Sequence, residues 1–428
     1  MIKRTRHFLK NNQYKKLISN FSYLTVINII NRILPLIVVP YIVRTIGVEK
    51  FGIVTFAWAF VSYAILITQY SFELTAVKHI SLHKNDHNEL SRYIWAVLST
   101  RFVLTVLVFI VYVALVFFVE KFYSEREVML YTFIAVWADA MMPIYFFRGI
   151  EEMKYIAIFS IFSKLLYAAG VFVFVHTPED YVYIPLLNGI SLFTVGIYVL
   201  YYIHKKYTLR LIRPKITEMY LLLKEGKDIF WSNMSVSFYT TINPVLLGLF
   251  GSYSAVGIYS LAEAIYNAYS SIIKSYTVVV YPHLAQYIDD LQQLYRQARK
   301  FFRAYVMILV AASALLYFMS DFIITLLYGT GHETSIEILK ILAIATLLEP
   351  LGGFFTAYMA LKSQYRVIRS ITFRTMLVNL LLIIPAIYLY GAKGLAYLFL
   401  LLSILQVYLN LSKNPEILRN SSKTRRAE

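Results

Sequence analysis

The chain of 428 residues has no cysteine, which excludes disulfides, thiolate metal sites and a cysteine nucleophile. Charge is scarce too. Only 15% of the residues are Asp, Glu, Lys or Arg, against about 25% in soluble domains. Acids are the scarcer sign, 24 against 41 basic residues, for a formal net charge of +17. There is no G-x-x-x-x-G-K-[ST] loop for ATP, and the eight histidines include no H-E-x-x-H. The largest extracytoplasmic loop expected, about Asp321 to Glu333, is too short to hold an active site by itself. The sequence therefore asks for no enzyme, no metal and no cofactor.

Apolar residues are what the chain has instead: 59% of the total, with mean hydropathy +0.61. That is more than a soluble fold of this size hides, so the chain reads as an all-α polytopic membrane protein. The first 16 residues are basic and polar and run into a full-length apolar span without a small-residue cleavage site, so no removable signal peptide is expected. Apolar windows predict twelve spanning helices near 17–44, 52–78, 92–119, 127–148, 155–175 and 181–204, then 228–250, 254–282, 301–320, 334–361, 367–390 and 392–411. On this scheme 31 of the 41 basic residues fall on one side of the membrane and only five on the other: Arg44, Lys50, Lys121, Arg126 and Lys393. The positive-inside rule then makes both termini cytoplasmic. The basic residues set topology, which removes nucleic acid as a partner.

Pro40-x6-Gly47-x4-Gly52-Ile53 returns as Pro244-x6-Gly251-x5-Gly257-Ile258, and Pro143 returns as Pro350, at offsets of 204 to 207 residues. A steady offset predicts two copies of a six-helix unit. Six is even, so the copies run parallel about an axis along the membrane normal, with a central cavity at their seam. The expected division is a bundle at 1–204, a cytoplasmic linker at 205–227, a second bundle at 228–411 and a basic tail at 412–428. The polar corner Arg44 to Lys50, bracketed by Gly47 and Gly52, separates the first two spans, and Pro35 and Pro40 predict a bend in the first.

Some charges remain inside the spans. A charge at mid-bilayer costs at least about 2.5–3.5 kcal/mol and normally faces protein or a water-filled cavity. Arg32, Arg101, Lys164 and Lys274 are candidates for a cationic cavity that binds an anionic headgroup, unless their stems snorkel to the interface. Lys340 is nearer an interface. Asp139, Glu263 and Glu349 suit a proton or sodium site, or structural pairing with an embedded cation. Glu73 has Lys78 within reach. Tyr63 and Tyr266 offer rings for stacking on sugars, or belong with the interfacial aromatic belt.

Specific segments carry a resemblance. "LPLIVVPYIVRTIGVEKFGIVTFAWAFVSY" followed by "QYSFELTAVKHIS" resembles the opening of the Wzx-type polysaccharide repeat-unit (O-antigen) flippases of the multidrug/oligosaccharidyl-lipid/polysaccharide exporter superfamily. "MPIYFFRGIEEMKYIAIFSIFSKLL" is similar to that family's turn between fourth and fifth helices, with Arg148 where the family usually has Gln. "AVGIYSLAEAIYNAYSSIIKSYTVVVYPHLAQY" and "LLYGTGHETSIEILKILA" resemble its eighth helix and its loop between ninth and tenth. The resemblance implies two six-helix bundles around a cationic cavity in the bacterial inner membrane. It also implies movement of undecaprenyl-diphosphate-linked oligosaccharide by alternating access, alongside membrane lipids, a polysaccharide polymerase and chain-length machinery. The alternatives are an ion-coupled drug/cation antiporter of the same superfamily and a membrane glycan polymerase.

Overall fold

The computed structural model describes residues 12–207, 210 and 212–417, without the side chains of 12–18, 21, 24, 25, 29, 32, 235, 236 and 238–240. The basic tail residues Lys3 to Lys10 and Arg419 to Arg426, and the side chains of Lys15, Lys16 and Arg32, lie outside that description.

Among the described residues all regular structure is helical. Apolar runs of this length satisfy their backbone polar groups within themselves only as helices. The first unit begins with α1 (Asn12–Gln69), which is two rods joined at Gly47 (φ 79°, ψ 165°), a conformation open to glycine and rarely to other residues. The expected polar corner is thus a single residue. Pro35 and Pro40 stay in helical backbone, and Gly47 is the one non-helical position inside the element. α2 (Phe72–Leu82) continues beyond Tyr70, a non-glycine residue at φ 51°. Then come α3 (His87–Phe118), the short α4 (Glu120–Tyr123), α5 (Arg126–Met141), α6 (Ile144–Gly149), α7 (Met153–Phe174) and α8 (Tyr183–Tyr207). Pro143, which has no amide to donate, separates α5 from α6.

α9 (Ile216–Thr240) starts twelve residues before the span expected at 228, inside the stretch expected as linker. It packs within the first compact unit, Met1–Ile242. A Cβ on Gly226 would lie 1.7 Å from Ser71 Oγ, so only glycine lets α9 settle on the break between α1 and α2. Tyr70 donates to Leu223 O (3.0 Å) and stacks on Phe230 at 4.5 Å. Arg92 on α3 also pairs with Glu218.

The second unit, Asn243–Glu428, holds α10 (Ile242–Phe250, from its second residue), α11 (Tyr253–Ala285), α12 (Leu291–Tyr328), α13 (Glu333–Leu361) and α14 (Tyr365–Lys413). α14 is again two rods, joined at Gly391 (φ 55°, ψ −131°). α12 begins ten residues earlier than its apolar window, with Asp290 accepting from Gln293 N at 3.0 Å. Its extra turns are polar outside, while Leu294 and Ala298 are fully buried. Pro350 stays helical within α13, unlike Pro143 at its expected counterpart.

Eight helices among the described residues are long and apolar enough to cross a membrane, and two of these contain the Gly47 and Gly391 joints. The fold is that of a polytopic membrane protein. Each unit has its own core. Phe72, Ile80, Val97, Phe146 and Phe147 centre the first, and Leu294, Tyr305, Leu309, Phe355 and Tyr358 the second.

Candidate functional site: embedded charges in each unit

In the first unit Arg101 and Asp139 meet where two neighbouring helical rods break. Arg101 on the unbroken α3 is 3% exposed. Its Nη2 meets Asp139 Oδ2 at 2.5 Å. Its Nε donates to Thr68 O (3.4 Å) and its Nη1 to Met142 O (3.3 Å). Those carbonyls flank the breaks at Tyr70 and at Pro143, so one planar guanidinium serves both breaks and a carboxylate. The five-donor fork of arginine allows this and a lysine ammonium does not. Gln69 Nε2 donates to Asp139 Oδ1 (3.1 Å) and Oδ2 (3.3 Å), completing the carboxylate's shell. The cavity among Gln69, Glu73, Arg101, Asp139 and Tyr145 is about 10 Å³, which admits no diphosphate in this arrangement.

Beyond the breaks α2 and α6 lie against each other. Gly149 permits this contact, since a Cβ there would be 2.5 Å from Ile80 Cγ2. Glu73 pairs with Arg148 at 2.7 Å rather than with Lys78. The residue that departs from the resembling family's Gln is therefore held by a carboxylate across the α2–α6 contact.

Lys164 lies half-buried in the middle of α7, with no ion-pair partner among the described residues. The Arg32 side chain is outside the described residues. In the second unit Lys274 on α11 pairs with Glu349 on α13 at 2.9 Å, and the Tyr266 hydroxyl donates to the same carboxylate at 3.5 Å. Lys274 is 47% exposed in its side chain and Glu349 25%, so this pair is more open than Arg101–Asp139. Glu263, one turn before Tyr266, is half-buried and has no ion-pair partner among the described residues. Lys340 pairs with Asp321 at 2.6 Å. The Tyr63 hydroxyl donates to Ser237 O at 3.3 Å.

The structure thus brings Arg101 to Asp139 and Lys274 to Glu349. It leaves Lys164 and Glu263 as embedded charges of opposite sign, one in each unit. Gln69 and the positive φ of Tyr70 were not apparent from sequence. A polar Gln-Tyr-Ser step at the end of a long apolar run was the available signal.

Residues 17–288 match the family described as "Polysaccharide biosynthesis protein". A protein of Escherichia coli (strain K12) named "Putative O-antigen transporter" is 26% identical over 380 residues, 88% of this chain and 91% of the relative. Among solved structures, "Lipid II flippase MurJ, inward closed conformation" superposes with a TM-score of 0.70 at 14% identity, covering 92% of this chain and 88% of that one. An inward-facing multidrug resistance MATE family transporter of the MOP superfamily gives 0.66 at 14% identity, covering 94% and 99%. Both are likenesses of fold. The match over most of the chain settles kinship: the protein belongs to the polysaccharide biosynthesis protein family.

Proposed function

We propose that the protein is a flippase that carries undecaprenyl-diphosphate-linked oligosaccharide repeat units across the bacterial inner membrane for assembly of a surface polysaccharide. The family match over residues 17–288 carries this reading, and the relative's O-antigen transporter name agrees with it. In this reading twelve helices cross the membrane, both termini are cytoplasmic, and the two bundles rock by alternating access. Arg32 and Lys164 are the first cations offered to the diphosphate. Arg101 and Lys274 join only by leaving Asp139 and Glu349. The glycan occupies the polar interior while the polyprenyl tail stays in lipid. Polymerase and chain-length proteins act on the delivered units.

Deletion of the gene in its native strain tests this. The expected result is loss of surface polysaccharide, with completed lipid-linked repeat units retained on the cytoplasmic face. Unpolymerised single units reaching the outer face would instead indicate a polymerase. Arg32→Ala is expected to abolish transport and Arg32→Lys to keep part of it, and full transport by the alanine variant would remove Arg32 from the cavity.

The second reading, an ion-coupled drug/cation antiporter, draws on the MATE-like fold and on Glu263, an embedded carboxylate with no ion-pair partner among the described residues. Unchanged glycan with altered sensitivity to cationic drugs would favour it.

A further inference from the structure

Between α3 and α8 lies a cleft of about 270 Å³. Ile94, Trp95 and Leu98 line it from α3, Leu200 and Tyr201 from α8, and Pro143 from the break between α5 and α6. Along the same helices Phe102 is 57% exposed, Ile197 50% and Tyr198 54%. On spanning helices, large apolar side chains this open meet hydrocarbon rather than water. The cleft is smaller than the roughly 300–1,000 Å³ of compact ligand pockets, a size that suits a chain entering from lipid and not a glycan.

Two polar features distinguish it from an ordinary lipid-facing groove. The Trp95 indole Nε1 is buried with no hydrogen-bond partner among the described residues, and an indole N–H needs an acceptor when buried. A lipid ester carbonyl would supply one once the indole turns its edge into the cleft. At the last turn of α8 the exposed Lys205 carries its ammonium 5.8 Å from the Tyr201 ring centroid. Cations between helices at the membrane surface recognise anionic headgroups.

We propose that this cleft binds one acyl chain of an anionic membrane phospholipid, with Trp95 toward its ester region and Lys205 on its phosphate. The chain would lie against Pro143, so the lipid would brace the helix where it is broken. The proposal rests on the membrane fold and not on the flippase reading, and a binding measurement separates their failures.

Full-length protein in detergent, studied by native mass spectrometry, provides the test, with dioleoyl phosphatidylglycerol, dioleoyl phosphatidylcholine and glycerol phosphate as probes. Phosphatidylglycerol should bind about tenfold or more tightly than phosphatidylcholine, and glycerol phosphate, which has no chain, should not bind. Leu200→Trp, which fills the cleft, should weaken phosphatidylglycerol about tenfold. Lys205→Glu, an exposed change that leaves the fold intact, should bring phosphatidylglycerol down to the level of phosphatidylcholine. Equal binding of the two lipids by the unmodified protein would overturn the proposal, as would binding that neither variant alters. Displacement of phosphatidylglycerol by a lower concentration of undecaprenyl phosphate would also overturn it, by making a polyprenyl chain the occupant.

Discussion

Arg101 shows how little freedom an embedded charge has. Its donors reach Asp139, Thr68 O and Met142 O together, so no smaller cation replaces it. Removing one member of a buried ion pair strands the other, at a cost of about 3–5 kcal/mol. Arg101→Ala is therefore expected to lower the melting temperature of the detergent-purified protein sharply. Arg101→Lys should fall between, and Arg101→Met with Asp139→Leu should recover much of the loss because no charge is stranded. An unchanged melt for Arg101→Ala would mean that the pair does not support the two breaks. The embedded positions of Arg101 and Asp139 were legible from sequence, because a charge inside an apolar window stands out. Their pairing was not. Arg101 lies on α3 and Asp139 on α5, and nothing along the chain states which faces meet.

At the level of elements, Gly149 and Gly226 are contact points rather than hinges. Gly149→Ala pushes a methyl onto Ile80, and overpacking of this kind costs about 1–3 kcal/mol. Ile80→Ala in the same chain should return part of that stability, and a double variant no better than Gly149→Ala alone would refute the contact. The α9 contact responds to pH. Hydrogen bonds from Arg92 hold the Glu218 carboxyl below its ordinary range. A carboxylate with a depressed value contributes stability above the ordinary range and loses it as pH falls through the depressed value. Hydrogen-exchange protection of residues 216–224, taken relative to intrinsic amide rates, should therefore stay high through mildly acid pH and fall below it. Glu218→Gln should exchange fast at neutral pH and match the unmodified protein in acid.

Helices of continuous apolar character were readable because hydropathy marks them directly. The polar-faced extensions at 216–227 and 291–300 were missed, because a few buried positions such as Leu294 and Ala298 carry their packing. Breaks were harder still. Pro143 breaks its rod while Pro35, Pro40 and Pro350 do not, and Tyr70 turns the chain with neither proline nor glycine. Neighbouring groups that accept or donate at a break decide whether it opens, and those come from elsewhere in the chain.

For the whole molecule, the clearest test concerns orientation. A reporter fused after Tyr328 should read extracytoplasmic and one after Pro214 cytoplasmic, and the reverse pattern would invert the proposed topology. The charge distribution behind that expectation lies largely outside the packed cores, which is why it could be read from sequence at all. The packing of α9 could not be, because a division by composition places it with the helices that follow it.

That placement of α9 makes the two halves of the polypeptide unequal owners of their own parts. A chain severed after Pro214 would leave residues 1–214 without the helix that covers Tyr70 and Ser71, while the remaining fragment would carry that helix as an arm lacking its seat. The first fragment made alone should be degraded, and the two made together should purify as a complex, each rescuing the other. The arrangement is the logic of an exchanged arm between subunits, written here within a single chain, so that the second half is born holding a piece of the first.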